Sequence, residues 1–196
     1  MKVVEIWDAL RLVEGISATT APRSEEGGAT ELEVHSLAYL ACLLARWRDP
    51  DLDWGYEFHS TERAEPFAPT LAEALRSLRN NGMVLDHGLT LSVSPRGSDT
   101  VGRLAGQSAV VARDQYLGAS LETPALLPIP LVMRALANEP TIATAATRQK
   151  LLDETAINVL EEYHKALVAT AGEGASLLTL TELWLRYLLA VGTVAA

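Results

Sequence analysis

A glycine turn, a hairpin pattern and a proline corner between residues 81 and 97 constrain the fold of this chain more than any other feature. Asn81-Gly82 follows an amphipathic pattern over Leu71–Asn80 and closes that helix at its C-terminus. Two apolar runs within Met83–Ser94 then flank Asp86-His87-Gly88, which predicts a β-hairpin with a glycine available for positive φ. Pro95-Arg96-Gly97 starts the next helix. The segment therefore predicts helix, hairpin and helix in direct succession.

A strong helix pattern precedes this segment. Glu31–Arg48 is apolar on almost every face, which is typical of a helix with neighbours on several sides, and Thr30 with Glu33 forms a capping-box pattern. Alternation over Trp54–Ser60 predicts a short strand. Together these elements indicate a mainly α fold with a small β-hairpin, in which a winged-helix-like core spans Glu31–Gly118 and C-terminal helices follow. An unrelated α+β domain containing one hairpin is the alternative. The hairpin positions expected to close the core are Val84, Leu89, Leu91 and Val93.

The remaining segments divide the chain into three predicted parts. Residues 1–30 form an N-terminal helix over 1–15 and a flexible linker over Ser17–Thr30; residues 31–118 form the winged-helix-like domain; and residues 119–196 form a helical region. Further helices are predicted over Ser98–Leu117, Pro130–Asn138, Arg148–Thr170 and Leu177–Val191, with a proline-rich connector from Thr123 to Pro130.

Charge and cysteine content narrow the classes of function. The net charge of −9 argues against a surface adapted throughout to nucleic acid, although residues 60–113 carry 6 basic and 5 acidic side chains and are the least acidic part. The lone Cys42 excludes an internal disulfide, and charges at Glu5 and Asp8 interrupt any signal-peptide pattern, so a cytoplasmic location is expected. Leu177–Val191 is too short for a membrane span and carries Glu182 and Arg186, so no membrane partner is expected.

Three short segments carry a resemblance to a known family. The resemblance covers about residues 32–97 and lies in Val34-His-Ser-Leu-Ala-Tyr-Leu40 through Trp54-Gly-Tyr-Glu-Phe58, in Pro66-Phe-Ala-Pro-Thr-Leu71 and in Leu78-Arg-Asn-Asn-Gly-Met-Val84. They resemble the small middle components of ABC-three-component, or Lamassu-type, anti-phage systems, and are distantly similar to the Panacea antitoxin domain. Ser36 stands where that domain usually has lysine, and Glu65 where it has glycine. The resemblance implies a non-catalytic adaptor that bridges an SMC-like or Rad50-like ATPase and an effector nuclease.

The residues themselves offer little catalytic chemistry. The four histidines are scattered, and Cys42 has no second cysteine, so a zinc ligand set is missing. Glu161-x-x-His164 is half of a di-iron motif, and Asp49-x-Asp51-x-Asp53 opens like a calcium loop but lacks the required glycine and glutamate. A Cys42–His35 nucleophile pair is disfavoured because a buried apolar cysteine is inert. We therefore expect no enzyme activity, no cofactor and no bound metal.

Two sets of side chains are candidates for partner contact. Arg76 and Arg79 lie on the predicted exposed face of the helix before the hairpin, Arg96 lies at the corner after it, and Arg63 precedes the helix. Such arginines suit DNA phosphates, a protein partner or plain solvation. The C-terminal set suits a protein interface or the chain's own core, and comprises Leu177, Leu180, Trp184, Tyr187 and Leu188. An adaptor subunit is the first hypothesis. A winged-helix regulator or antitoxin that binds DNA as a homodimer is the alternative.

Overall fold

The chain is mainly helical, with two small antiparallel strand pairs, in a computed structural model that describes residues 2–20 and 27–194. Apolar side chains from the N-terminal, middle and C-terminal helices join in one hydrophobic core. The predicted mainly α fold with a small hairpin is confirmed at this level. The elements are α1 (Val3–Thr20), α2 (Glu31–Arg48), β1 (His59–Ser60), β2 (Pro66–Phe67), α3 (Pro69–Asn80), β3 (Val84–Asp86), β4 (Leu91–Val93), α4 (Pro95–Leu104), α5 (Ser108–Leu126), α6 (Ile129–Ala137), α7 (Pro140–Ala143), α8 (Glu154–Ala171) and α9 (Leu177–Val194).

Helix α2 occupies the centre of the core. It buries 13 of its 18 residues, so its neighbours cover it on every side, as its sequence predicts. Its capping box is confirmed, because the Glu33 amide donates to Thr30 Oγ1 at 3.2 Å and the Thr30 amide donates to Glu33 Oε2 at 2.7 Å. The box fixes where the chain turns into α2.

Helix α1 is longer than predicted and belongs to the same core. It continues to Thr20, so the prediction of a flexible linker from Ser17 is wrong for its first four residues. The hydroxyl groups of Ser17 and Thr19 donate to the carbonyls of Val13 and Ile16, both at 2.7 Å, and these bonds let polar residues extend the helix. The predicted linker residues 21–26 lie outside the described residues.

The predicted hairpin is confirmed. Strands β3 and β4 pair antiparallel, with Val84 opposite Val93, and Val84 and Leu91 are buried as expected. The backbone of Ala29 bonds to Leu91 in both directions, at 2.8 and 2.7 Å, and adds a one-residue third strand beside β4. The hairpin is thereby joined to the chain immediately before α2.

The prediction that Leu89 closes the core is wrong. Leu89 follows Gly88 in the loop between His87 and Thr90, which are linked by a His87 amide to Thr90 carbonyl bond of 2.9 Å. A loop position does not share the inward alternation of a strand, and Leu89 is 88% exposed. Gly88 adopts the positive φ that the sequence anticipates, at +89°.

The strand predicted over Trp54–Ser60 is formed only at its end. His59 and Ser60 make up β1 and pair with β2, whereas Trp54 and Tyr56 pack around the buried side chain of Arg113 instead. On its other edge β1 pairs with residues near Lys150, through a bridge between His59 and Lys150. The predicted helix over Arg148–Thr170 is therefore wrong at its start, because the backbone of residues 148–151 bonds to Phe58 and Ser60 and α8 begins at Glu154.

Two helix boundaries after the hairpin also differ from prediction. The helix predicted over Ser98–Leu117 is two helices: Ser94 caps α4, and α5 begins only after Gln107. The predicted proline-rich connector is wrong at its start, because α5 runs through the buried Pro124 to Leu126. Pro124 lies in the last turn of α5, where its missing N–H costs the helix one hydrogen bond, to the carbonyl four residues earlier. The domain boundary predicted after Gly118 falls inside α5.

In the described part of the chain, no single helix is long and apolar enough to cross a membrane. Helices α5 and α6 reach the necessary length and composition only together, across a bend of 111°.

Candidate functional site

Arg79 is held in an ion-pair network that joins three elements. Its guanidinium pairs with Glu31 at the start of α2 and with Asp86 of β3, where Nη1 and Oδ2 lie 3.3 Å apart. These two carboxylates offset the cation, so its attraction for a phosphate is reduced. Arg79 therefore has a structural role, because its ion pairs connect α3 and the hairpin to α2.

The other predicted arginines occupy two separate places. Arg76 is exposed on α3, and Arg96 is exposed on α4, where its Nη1 donates to the Asn81 carbonyl at 3.1 Å. The structure therefore brings Arg76, Arg79 and Arg96 together around the C-terminal half of α3. Arg63 is exposed in the turn between β1 and β2, before α3 begins, and does not join them.

The surface of α3 and the hairpin lacks a cationic excess. By formal charge its three arginines equal the three carboxylates of Glu31, Glu73 and Asp86, two of which are paired with Arg79. A surface that binds duplex DNA releases counterions in proportion to the phosphates it neutralises, and therefore needs a net excess of cations. The charge of this surface suits a mixed protein surface better than a phosphate backbone.

The hairpin presents apolar side chains at its exposed end. Leu89 is 88% exposed in the loop, and Leu85 is 44% exposed on the outward face of β3. We define the hairpin face as the exposed side chains of Leu85 in β3, Leu89 in the β3–β4 loop and Arg76 in α3.

The network around Arg79 yields a stability prediction. We expect Arg79→Ala to lower the free energy of unfolding by about 1 kcal/mol, because two partly exposed ion pairs and their packing are lost. The matched variant Arg76→Ala, on the same helix but exposed, should change it by less than about 0.5 kcal/mol. Urea denaturation followed by circular dichroism measures both. If the two substitutions lower the free energy of unfolding equally, Arg79 has no structural role beyond that of an exposed arginine.

A buried charge network between α1 and α5 was not predicted. Arg113 is 3% exposed and Asp8 is fully buried, and the shortest of their contacts joins Nη2 to Oδ2 at 2.5 Å. Tyr56 also donates to Asp8 Oδ2, at 2.9 Å, and Arg113 donates to the carbonyls of Asp53 and Trp54 at 3.2 and 2.9 Å. Both charges are satisfied within the chain, so the network stabilises the fold and has no free group for catalysis.

The histidine and cysteine of α2 do not form a nucleophile pair. His35 Nδ1 accepts from the Ala68 amide at 3.2 Å, so the proton of the neutral ring lies on Nε2. The His35 ring packs 4.7 Å from that of Phe67. Cys42 is buried, and burial raises the pKa of its thiol well above the ordinary value. A neutral, buried thiol is a poor nucleophile.

Burial of His35 makes the stability depend on pH. Desolvation lowers the pKa of His35 to about 4 from 6.5, so below pH 6.5 the unfolded chain takes up a proton that the folded chain resists. Stability from this group is complete above pH 6.5 and falls as the pH drops toward 4. We expect His35→Asn, which keeps an acceptor for Ala68, to remove about 2 kcal/mol of the loss between pH 7.5 and pH 5. Urea unfolding of both proteins at the two pH values measures it, and an unchanged pH dependence would contradict the assignment.

The two sequence fragments that partly match metal motifs are not part of a cluster of ligands in the described residues. Among residues 2–20 and 27–194, no three His, Cys, Asp or Glu side chains come close enough to hold an ion. His164 stacks on Trp47 with ring centroids 5.2 Å apart, and Asp53 Oδ1 accepts from the Gly55 amide at 2.7 Å in an ordinary polar turn. These residues are accounted for by packing and by turn formation.

The C-terminal set lies mostly inside the molecule. Leu180, Trp184 and Leu188 are at most 1% exposed, and Leu177 is half-buried. Trp184 packs against the rings of Trp47 of α2 and Tyr163 of α8, at 5.8 and 4.9 Å. Of the predicted interface residues on α9, Tyr187 is the most accessible, at 44% exposure. Leu180, Trp184 and Leu188 therefore belong to the chain's own core, which was one of the two predicted roles of this set.

Comparisons with protein-family models, with curated proteins and with solved structures give no match. The assignment of function therefore rests on the residues and their geometry.

Proposed function

We propose that this chain is a non-catalytic adaptor that binds a protein partner through the hairpin face of a winged-helix-like unit. The order of elements supports the fold part of the proposal. Helix α1, the one-residue strand at Ala29, helices α2 and α3, and the β3–β4 hairpin follow one another as in a winged helix, and Ala29 pairs with β4. Residues 49–68 are then an insertion between the second and third helices. This unit includes α1, which the sequence placed outside it.

One observation carries the choice of partner. On the surface where a winged helix would contact DNA, arginines and carboxylates are equal in number, Arg79 is paired with two of the carboxylates, and Leu89 is the most exposed of the large apolar side chains described. Burying an exposed leucine against an apolar surface is favourable by about 1.5–3 kcal/mol, whereas DNA phosphates offer it nothing. The hairpin face therefore suits a protein surface.

The resemblance of residues 32–97 to middle components of ABC-three-component systems supplies the kind of assembly. We propose that the partners are an SMC-like or Rad50-like ATPase and an effector nuclease, in the cytoplasm of a bacterial cell. Bridging needs two separate surfaces. The hairpin face is one, and the accessible side of α8 and α9 is the other, where Val159, Tyr187 and Val191 are between 42 and 44% exposed.

Affinity capture tests the proposal. The tagged full chain is purified from its native host at near-physiological salt, and co-purifying proteins are identified by mass spectrometry. We expect an ATPase of the SMC or Rad50 type and a nuclease to be recovered in the same complex. Recovery of neither would overturn the assignment to a defence assembly.

Titration of labelled duplex DNA distinguishes the alternative. A dimeric regulator would bind a short palindromic duplex by itself, with an affinity that falls steeply as salt rises. An adaptor with a charge-balanced hairpin face should show only weak binding without sequence preference. Specific binding that is lost in Arg76→Ala would contradict the adaptor proposal.

A further inference from the structure

A strap of extended chain completes the small sheet around β1. Residues 147–153, which we call the strap, connect α7 to α8. The amide of Arg148 donates to the Ser60 carbonyl at 2.7 Å, the Ser60 amide to the Gln149 carbonyl at 2.9 Å, and the Leu151 amide to the Phe58 carbonyl at 2.7 Å. The strap thus occupies one edge of β1, while β2 occupies the other.

Both ends of the strap adopt an unfavourable backbone conformation. Arg148 has φ of +67° and Leu152 has φ of +56°, in the left-handed region that suits glycine rather than residues with a Cβ. The closed strap therefore carries strain at the two positions that would act as hinges if it moved as a unit.

Few contacts hold the strap between those hinges. Leu151 is 2% exposed and anchors it in the core. Leu152 is partly buried against the core, and Gln149 Oε1 accepts from the Ala146 amide at 2.9 Å. Lys150 pairs with Glu57 at 2.7 Å, but the two side chains are 52% and 65% exposed, so solvent screens the ion pair and it adds little. Leu151, the partly buried Leu152 and the three backbone hydrogen bonds to Phe58 and Ser60 thus oppose the strain at the hinges.

The strap also separates three clefts. Lys150, Leu151 and Leu152 line a cleft of about 560 Å³, Gln149 and Lys150 line one of about 290 Å³, and Thr147 and Arg148 line one of about 520 Å³. Displacement of the strap would remove their common wall.

We propose that the strap is a conformational device that opens as a unit about Arg148 and Leu152, merging these clefts into one groove and freeing the edge of β1. The open state leaves the Ser60 amide and the carbonyls of Phe58 and Ser60 without their strap partners. An extended segment of polypeptide completes an unpaired strand edge of this kind by hydrogen-bonding to it. In the closed state the strap occupies that position.

Labelling of Cys42, the single cysteine of the chain, measures directly how often the strap opens. Cys42 lines the 560 Å³ cleft beside Leu151 and Leu152 and is 4% exposed, so opening of the strap should uncover it. When opening and closing are faster than the chemistry, the rate of labelling by a thiol reagent is proportional to the population of the open state. Global stability is measured in parallel by urea unfolding.

Three variants test the proposal in the full chain. Leu151→Ala removes the anchor and should speed labelling of Cys42 by about thirtyfold. Leu185→Ala removes a fully buried leucine of α9 that does not line the cleft, and should leave labelling unchanged at a comparable loss of stability. Arg148→Gly relieves the hinge strain without touching the core and should slow labelling about threefold.

Two labelling results would overturn the proposal that the strap opens as a unit. If Leu185→Ala speeds labelling as much as Leu151→Ala does, Cys42 is exposed by global unfolding and the proposal is overturned. An unchanged or faster rate in Arg148→Gly overturns it as well, and this variant keeps the test valid even if Leu151→Ala fails to fold.

Discussion

Replacing Asp8 with alanine should lower the free energy of unfolding by about 3–5 kcal/mol. The substitution leaves the Arg113 guanidinium buried without its counter-charge, and Tyr56 loses the acceptor of its hydroxyl. The carbonyls of Asp53 and Trp54 and the ring of Trp54, whose centroid lies 4.2 Å from the guanidinium carbon, cannot replace a carboxylate. Urea denaturation at pH 7 measures the loss.

A double variant separates the burial of an unpaired charge from the loss of packing. Asp8→Leu combined with Arg113→Met replaces both charges by apolar side chains, and should restore much of the stability that Asp8→Ala removes, because no unpaired charge stays buried. If the double variant is as unstable as the sum of its two single variants, the pair does not act as a coupled unit. A loss below about 1 kcal/mol in Asp8→Ala would contradict the burial of the network.

Replacing Trp184 with alanine should have an effect of similar size, about 3–5 kcal/mol. Trp184 is fully buried where α9 meets α2 and α8, and it contacts the rings of Trp47, Tyr163 and Tyr187. Truncation leaves a large cavity at a junction of three helices, which cannot collapse without moving one of them.

The matched control lies on the same helix. Val191→Ala removes a side chain that is 43% exposed and should change stability by less than about 1 kcal/mol. Thermal unfolding of the three proteins, supported by urea denaturation, compares them. A loss in Trp184→Ala no larger than that in Val191→Ala would mean that α9 is not docked on the core and is free to serve a partner.

Sequence patterns correctly predicted the elements that depend on residues close together in the chain. The capping box of Thr30 and Glu33, the apolar pattern of α2 and the glycine-bearing hairpin each depend on residues close in sequence, and all three are present. Pro95 at the start of α4 belongs to the same group. These features needed no knowledge of distant contacts.

Long-range packing overrode the local signals elsewhere. Pro124 marks a connector by its type, yet it lies within a buried helix that neighbouring helices support. Arg148 to Leu151 continue a helical pattern, but their backbone groups bond to Phe58 and Ser60 instead of to one another. Residues more than 85 positions apart in sequence determine that pairing.

The candidate site could be predicted only in part from the sequence. Arg79 and Arg113 belong to the same arginine-rich segment, but their roles depend on Glu31 and Asp8, which local patterns do not connect to them. The exposure of Leu89 had a signal, since it directly follows the turn glycine and so belongs to the loop.

The most direct test of the adaptor proposal compares three tagged proteins captured from the native host: the wild type, Leu89→Ser and Val111→Ser. Val111 is a matched control because it is also an exposed apolar residue, at 56%, but lies on α5 away from the hairpin. We predict that Leu89→Ser loses one partner and retains the other, while Val111→Ser retains both. Retention of every partner by Leu89→Ser would contradict binding through the hairpin face.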